Sequence, residues 1–271
     1  MNSDRIPKVL VEIMKDYLRN VHDGTSVTLR DRHEYGVLTV CEVRDGLLAS
    51  GSHDWSIRIW DLSKGGKLLQ TLFGHTNSVT SIYALGDGRI ASASLDGTIR
   101  IWDLNKKGKC VQTLTCHTDR LYSVCALDDG RLVAGTYGGR LHIFDLRKGG
   151  ELVHTLTAHT DTVHSVCALD DGRLVSGSHD RTIRIWDLTD KGECVQTLSC
   201  HTDRLYSVCA LDDGRLAAGS FDGRILFLDL RRGGERVQTL TGPIATIYGI
   251  CVTDDGMIVT ASNDGTLRIW S

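Results

Sequence analysis

Trp60, Trp102, Phe144, Trp186, Leu228 and Trp270 stand 42 residues apart with no insertion between them. A chain with such a period is built by stacking one structural unit on the next. Two more columns keep the same step. One holds His33, His75, His117, His159, His201 and Pro243, the other Gly46, Gly88, Gly130, Gly172, Gly214 and Gly256. A unit of this size cannot bury its own apolar face, so each neighbour must cover it.

The second unit shows what is being stacked. Ser78 to Ala84 is a short β-rich run, followed by the turn Gly86-Asp87-Gly88; Arg89 to Ser94 is a second run, closed by Asp96-Gly97. Thr98 to Asp103 is a third, and the polar stretch Asn105 to Gly108 leads into a fourth, Lys109 to Leu114. Asp-Gly between such runs is a strong hairpin signal, because both residues tolerate the positive φ of a tight turn. Four short antiparallel strands in about 42 residues describe one blade of a propeller. The pattern also has a finer grain: Cys116 to Leu132 reads CHTDRLYSVCALDDGRL, and Cys200 to Leu216 repeats it letter for letter. Repeats three and five are therefore closer to each other than to their neighbours.

Gly74-His75 at the start of a unit, Asp96 before its third strand and Trp102-Asp103 at the end of that strand resemble the WD40 family. The resemblance runs from about Thr25 to the C-terminus and implies an all-β, six-bladed WD40-type β-propeller over residues 24–271. The last repeat stops at Trp270-Ser271, after its third strand. Subtracting one period from Lys67 to Leu72 lands on Thr25 to Arg30, so a strand at about 25–30 is expected to complete the last blade and close the ring. Before it, Ile6, Leu10, Ile13, Met14, Tyr17 and Val21 recur at helical spacing, with Ser3 or Asp4 as caps and Pro7 in the first turn. Residues 1–23 are thus expected to form a short amphipathic helix, laid on the propeller or used for docking. The protein is expected to be monomeric unless that helix self-associates.

The bulk chemistry narrows the partners. A net charge of -3 gives no reason to expect nucleic acid or an anionic membrane, and no stretch approaches the ~20 apolar residues of a membrane span. Nine cysteines occur, with no Cys-x-x-Cys pair; Cys41, Cys125, Cys167, Cys209 and Cys251 share one repeated strand position. There a cysteine behaves as a small buried hydrophobe, which points to reduced thiols and a cytoplasmic location.

Within one repeat His75, Ser92 and Asp96 invite a hydrolase reading. The same residue types recur at the same offsets as His33, Ser50, Asp54 and Trp60, as His75, Ser92, Asp96 and Trp102, and as His159, Ser176, Asp180 and Trp186. In the WD40 family such positions form a buried hydrogen-bond chain that braces the blade, and one protein does not need three copies of a catalytic centre. The resemblance therefore implies structural tetrads, no catalytic residue and no cofactor. Repeat three departs, with Ala134, Gly138 and Phe144; repeat five has Ala218 and Leu228 but keeps Asp222; repeat six has Pro243 but keeps Thr260, Asp264 and Trp270.

Propellers of this family most often bind on their top face, around the central channel. Carrying the family's top-face positions over repeat by repeat gives Arg120, Tyr122, Tyr137, His164, His179, Arg204, Tyr206, Phe221 and Tyr248 as candidate partner-binding residues. Exposed aromatics beside arginine suit interface hot spots, and Arg120 and Arg204 favour a segment carrying carboxylate or phosphate. The function implied is a non-catalytic protein-interaction scaffold that binds a peptide or protein, acidic or phosphorylated. The alternatives are a nucleic-acid or phospholipid reader using the same rings, or an enzyme with a site at the channel mouth. His53, His164 and His179 have no carboxylate or cysteine at ligand spacing, so no metal site is expected.

Overall fold

The computed structural model describes residues 5–6, 33–44, 46–64, 66–116, 119–157, 159–189, 192–199, 203–211, 213–241, 246–253, 258–262 and 267–270. The first five repeats each form a four-stranded antiparallel meander. In the second, the strands are Val79–Ala84, Arg89–Ser94, Thr98–Asp103 and Lys109–Thr115. The chain is an all-β propeller with almost no helix: among the described residues the only helical pieces are single 3-10 turns after a third strand, such as Leu104–Lys106. The aspartate of each Trp-Asp position explains that turn. Asp103 accepts the Asn105 amide at 3.0 Å and Asp145 the Arg147 amide at 2.9 Å, capping donors that the turn leaves unpaired.

The core lies between blades rather than within them. Val79 and Ile82 of the second blade pack against Ala49, Ile57, Ile59 and Leu72 of the first, and four further layers of this kind join the later blades. A polar clasp accompanies each layer. The hydroxyls of Thr39, Ser81, Ser123, Ser165 and Ser207 accept the amides of Ile82, Val124, Val166, Val208 and Ile250 in the following blade, at 3.0–3.3 Å. Inner-strand amides at these junctions would otherwise be buried unpaired.

The sixth repeat differs. It supplies three strands, Ile247–Thr253, Ile258–Ser262 and Leu267–Trp270, in the same meander order. Its clasp position is Gly249, which has no hydroxyl to offer. On the other side of that seam, Val37 of the first blade is 50% exposed, whereas Val79, Leu121, Val163 and Leu205 are 0% and Ile247 is 1% exposed. Val40 is likewise 50% exposed, against 3–8% for Ile82, Val124, Val166, Val208 and Ile250. The junction between last and first repeats is thus the one at which neither the apolar layer nor the clasp is made among the described residues.

The expected N-terminal helix does not include Arg5 and Ile6. They are extended and pair in parallel with Val252 and Thr253, on the first strand of the sixth repeat. An exposed strand edge offers unpaired backbone groups, and a short isolated helix is marginal. Among the described residues, the fourth strand of the sixth sheet is therefore Arg5–Ile6, on its first-strand edge. The rest of the expected helix, 7–23, and the closing strand at 25–30 lie outside the described residues.

Candidate functional site

The first strands of blades three to six, with the turns after their second strands, bring the nine candidate residues into one belt. The Tyr122 ring lies 5.0 Å from His164, which is 4.6 Å from Tyr206 and 5.0 Å from His179. Tyr206 in turn meets His179 at 4.7 Å and Tyr248 edge-on at 5.3 Å. Two outer rings flank this base: Tyr137 is 6.4 Å from Tyr122, and Phe221 is 6.4 Å from Tyr206. Tyr137, Phe221 and Tyr248 are about half exposed, whereas Tyr122, His164, His179 and Tyr206 sit deeper. The turns hold the outer rings in place, since the Tyr137 amide donates to the Arg120 carbonyl and the Phe221 amide to the Arg204 carbonyl, both at 2.9 Å.

The belt is cationic at its rim and neutral at its base. Arg120 lies over the Tyr137 ring at 5.9 Å, and Arg204 hydrogen-bonds the Tyr206 side chain. Burial, helped by the neighbouring His179, pushes the His164 imidazole down to about 4, and burial lowers His179 as well. Burial raises the Tyr122 and Tyr206 hydroxyls. The His164 Nδ1–H donates to the Tyr206 carbonyl at 3.2 Å, while His179 Nε2 is buried without a partner among the described residues. His53 stands apart, bonded to Ser78 Oγ at 2.9 Å. Among the described residues no three His, Cys, Asp or Glu side chains gather as a metal site would require.

The Ser, His and Asp positions are arranged differently. In blade two the Trp102 indole N–H donates to Ser92 Oγ at 2.8 Å, Ser92 bonds His75 Nε2 at 2.7 Å, and His75 Nδ1 bonds Asp96 at 2.8 Å. Blades one and four carry the same chain through Trp60, Ser50, His33 and Asp54, and through Trp186, Ser176, His159 and Asp180. The carboxylate also caps its own turn: Asp96 accepts from the Thr76 amide and from both Thr98 donors. Burial works against the charge of Asp54, but the bonds from Ser56 and His33 outweigh it and hold the group at about 2. Ser92 and Ser176 are fully buried, and each hydroxyl is engaged by an indole and an imidazole. A nucleophile must reach substrate, and these cannot.

The repeat model described as "WD domain, G-beta repeat" matches residues 24–61, 66–103, 108–145, 150–187, 192–229 and 234–271. The chain belongs to the WD40 family. WD40 propellers typically serve as protein-interaction scaffolds and are generally not catalysts. Among curated proteins, the chain is similar to Mitochondrial division protein 1 of Saccharomyces cerevisiae, 38% identical over 61 residues. That similarity covers 22% of this chain and 8% of the yeast protein. The protein of the same name in Vanderwaltozyma polyspora is 47% identical over 38 residues, 14% of this chain and 5% of that protein. The likeness is thus confined to one or two repeats, and the chain spans a small part of those relatives.

Blade three solves the loss of its WD40 tetrad in a way the spacing did not announce. Asp119 reaches across its loop and accepts the Gly138 amide at 3.0 Å, with Arg140 3.7 Å away. A Cβ on Gly138 would sit 2.7 Å from that carboxylate, so glycine there admits the replacement. The equivalents Asp161 and Asp203 instead accept the amides of the residues that follow them. The buried His142 lies edge-on to Phe144 at 6.5 Å and bonds Thr155 at 3.0 Å. Phe144 and Leu228 fill the indole's place with no N–H to satisfy.

Proposed function

We propose that this chain is a non-catalytic scaffold that binds a peptide or protein partner on the face carrying the aromatic belt. The observation behind this reading is the unbroken set of ring contacts from Tyr137 through Tyr122, His164 and Tyr206 to Tyr248, rimmed by Arg120 and Arg204. Rigid aromatics lose little entropy on binding and supply large contact area, and arginine adds directional hydrogen bonds. A neutral base beneath cationic edges suits a segment that is apolar in the middle and acidic at its flanks.

Two structural proposals accompany it. The ring closes as six blades, with residues 25–30 as the outer strand of the last. In support, the family match begins at residue 24 in the same frame as at 66, and the sixth repeat has three strands of its own. The exposed Val37 and Val40 are the surface such a closure would cover. Of the 1–23 segment expected as a helix, the part beyond Ile6 is proposed to be one, laid on the propeller or used for docking, with the protein monomeric unless that helix self-associates. The cytoplasm is the proposed location, on the compartment logic of cysteines that recur in repeat register, five of them at one strand position.

The test is cross-linking of tagged wild-type chain in host lysate, beside an Arg204→Glu, Tyr206→Ala double variant of matched melting temperature. A partner whose cross-links map to the belt and vanish with the variant supports the scaffold reading. Unchanged capture by the variant places binding elsewhere and overturns it.

A further inference from the structure

The belt is a duplication. Arg120 and Tyr122 of blade three recur as Arg204 and Tyr206 of blade five in the copied sequence, and Tyr137 has Phe221 as its equivalent two repeats on. The two sets also agree in three dimensions. The Tyr122–Tyr137 rings are 6.4 Å apart at 26°, and the Tyr206–Phe221 rings 6.4 Å apart at 30°. Each outer ring is tied to its arginine by the same amide-to-carbonyl bond of 2.9 Å. Both arginines are exposed, and neither is in an ion pair among the described residues. Between the copies, blade four contributes the stacked pair His164 and His179, touching Tyr122 on one side and Tyr206 on the other.

We propose that these are two half-sites of one groove, which takes a single extended peptide bearing two carboxylate side chains, one for Arg120 and one for Arg204, on either side of an apolar residue seated on His164 and His179. This rests on the scaffold reading and names the chemistry of its partner. Two like cations set apart around a neutral base match two like anions around an apolar centre. Burial favours the neutral form of both central imidazoles, so an apolar side chain can rest on them without covering a charge. The anions are carboxylates rather than phosphates because each half-site offers one exposed arginine that follows an aspartate in the chain, Asp119 before Arg120 and Asp203 before Arg204. A monoanion matches one guanidinium in a fork-to-fork pair, whereas a dianion would keep excess charge against that aspartate. Binding through two linked contacts exceeds either alone, because the second becomes intramolecular.

The experiment titrates the whole chain with fluorescein-labelled peptides of one design. A leucine is flanked on each side by one glutamate, and the separation is scanned from about one to five residues, each adding ~3.3 Å when extended. Companion peptides carry one glutamate, two glutamines or two phosphoserines. The expected result is roughly tenfold weaker binding for one glutamate than for two, and weaker still for glutamine. Arg120→Gln and Arg204→Gln should each reduce the two-glutamate peptide to the one-glutamate level, and the one-glutamate peptide should weaken only in the variant that lacks the arginine its carboxylate meets. Equal binding of glutamine and glutamate peptides, or no binding of any spacing, overturns the proposal; so does phosphoserine binding tenfold tighter than glutamate. These arms use the wild-type chain and do not depend on a variant folding. If the peptides fail while belt cross-links to a cellular partner persist, the scaffold reading stands and only the two-carboxylate inference falls.

Discussion

Ser207 of the fifth blade accepts the amide of Ile250 in the sixth at 3.0 Å, the last of five clasps that hold successive blades together. The equivalent residue one repeat on is Gly249, and the strand it would grip begins the chain's first blade. Gly249 has room for a side chain, since an added Cβ would approach nothing closer than 3.9 Å. If the ring closes, Gly249→Ser supplies the missing clasp to the Val40 amide and stabilises the fold by about 0.5–1.5 kcal/mol. Chemical denaturation measures this; a variant no more stable than wild type argues that the two blades do not meet there.

The tetrads should respond to truncation according to what is left unpaired. Trp102→Ala removes a fully packed indole and is expected to cost about 3–5 kcal/mol. Ser92→Ala strands the indole N–H and the His75 nitrogen in the core and should cost about 1–3 kcal/mol. Adding Trp102→Phe to Ser92→Ala recreates the Ala134 and Phe144 pairing of blade three, so the double variant should lose less than the two single losses combined. Thermal melts of wild type, Ser92→Ala, Trp102→Phe and the double variant decide it, and strict additivity would refute the coupling.

Gly138→Ala places a methyl group against the Asp119 carboxylate and should destabilise the protein by about 1–2 kcal/mol. In an Asp119→Ala background the same change should cost little, because the carboxylate that it hits is gone. A double-mutant cycle reads the difference; an equal cost in both backgrounds would mean that Asp119 does not set the requirement for glycine.

The His164 imidazole gives a stability step in mild acid. Its pKa falls from 6.5 to about 4 on folding, through burial and the adjacent His179. A depressed histidine contributes stability that is complete above about pH 6.5 and is lost as pH falls toward 4, because the unfolded chain takes up the proton first. The loss is on the order of 3 kcal/mol, with Tyr122, Tyr206 and His179 packed around the ring and Asp161 and Arg204 acting on His179. Asp54, Asp96 and Asp180 are depressed too, so a separate loss follows below about pH 4 as they protonate. Melting temperatures across this range should show a smaller upper step in His164→Phe than in wild type, the remainder coming from His179 and His142, which burial also lowers.

Repetition made the blades legible. A period of 42 with turn glycines and aspartates in register leaves a stacked unit no other way to hide its apolar strand positions. The Trp–Ser–His–Asp offsets, equal in three repeats, likewise marked one buried network. Where a repeat departs from its siblings the letters alone were mute. Ala134 and Gly138 show that a network is missing in blade three, but not that Asp119 reaches in from the opposite loop, because that contact depends on how two turns face each other.

The sequence by itself determined the repeat unit, its strand pairings and the identity of the residues on one face, since hairpin formation and apolar alternation are local or nearest-neighbour effects. Only the tertiary structure decided how those faces meet. It brought Tyr122 and Tyr206 to 5.0 and 4.6 Å from His164, paired Arg5 and Ile6 with the sixth repeat, and left Val37 and Val40 exposed at the seam. Each of these turns on contacts between residues far apart in the chain, whose geometry is fixed by the packing of whole blades rather than by any local preference.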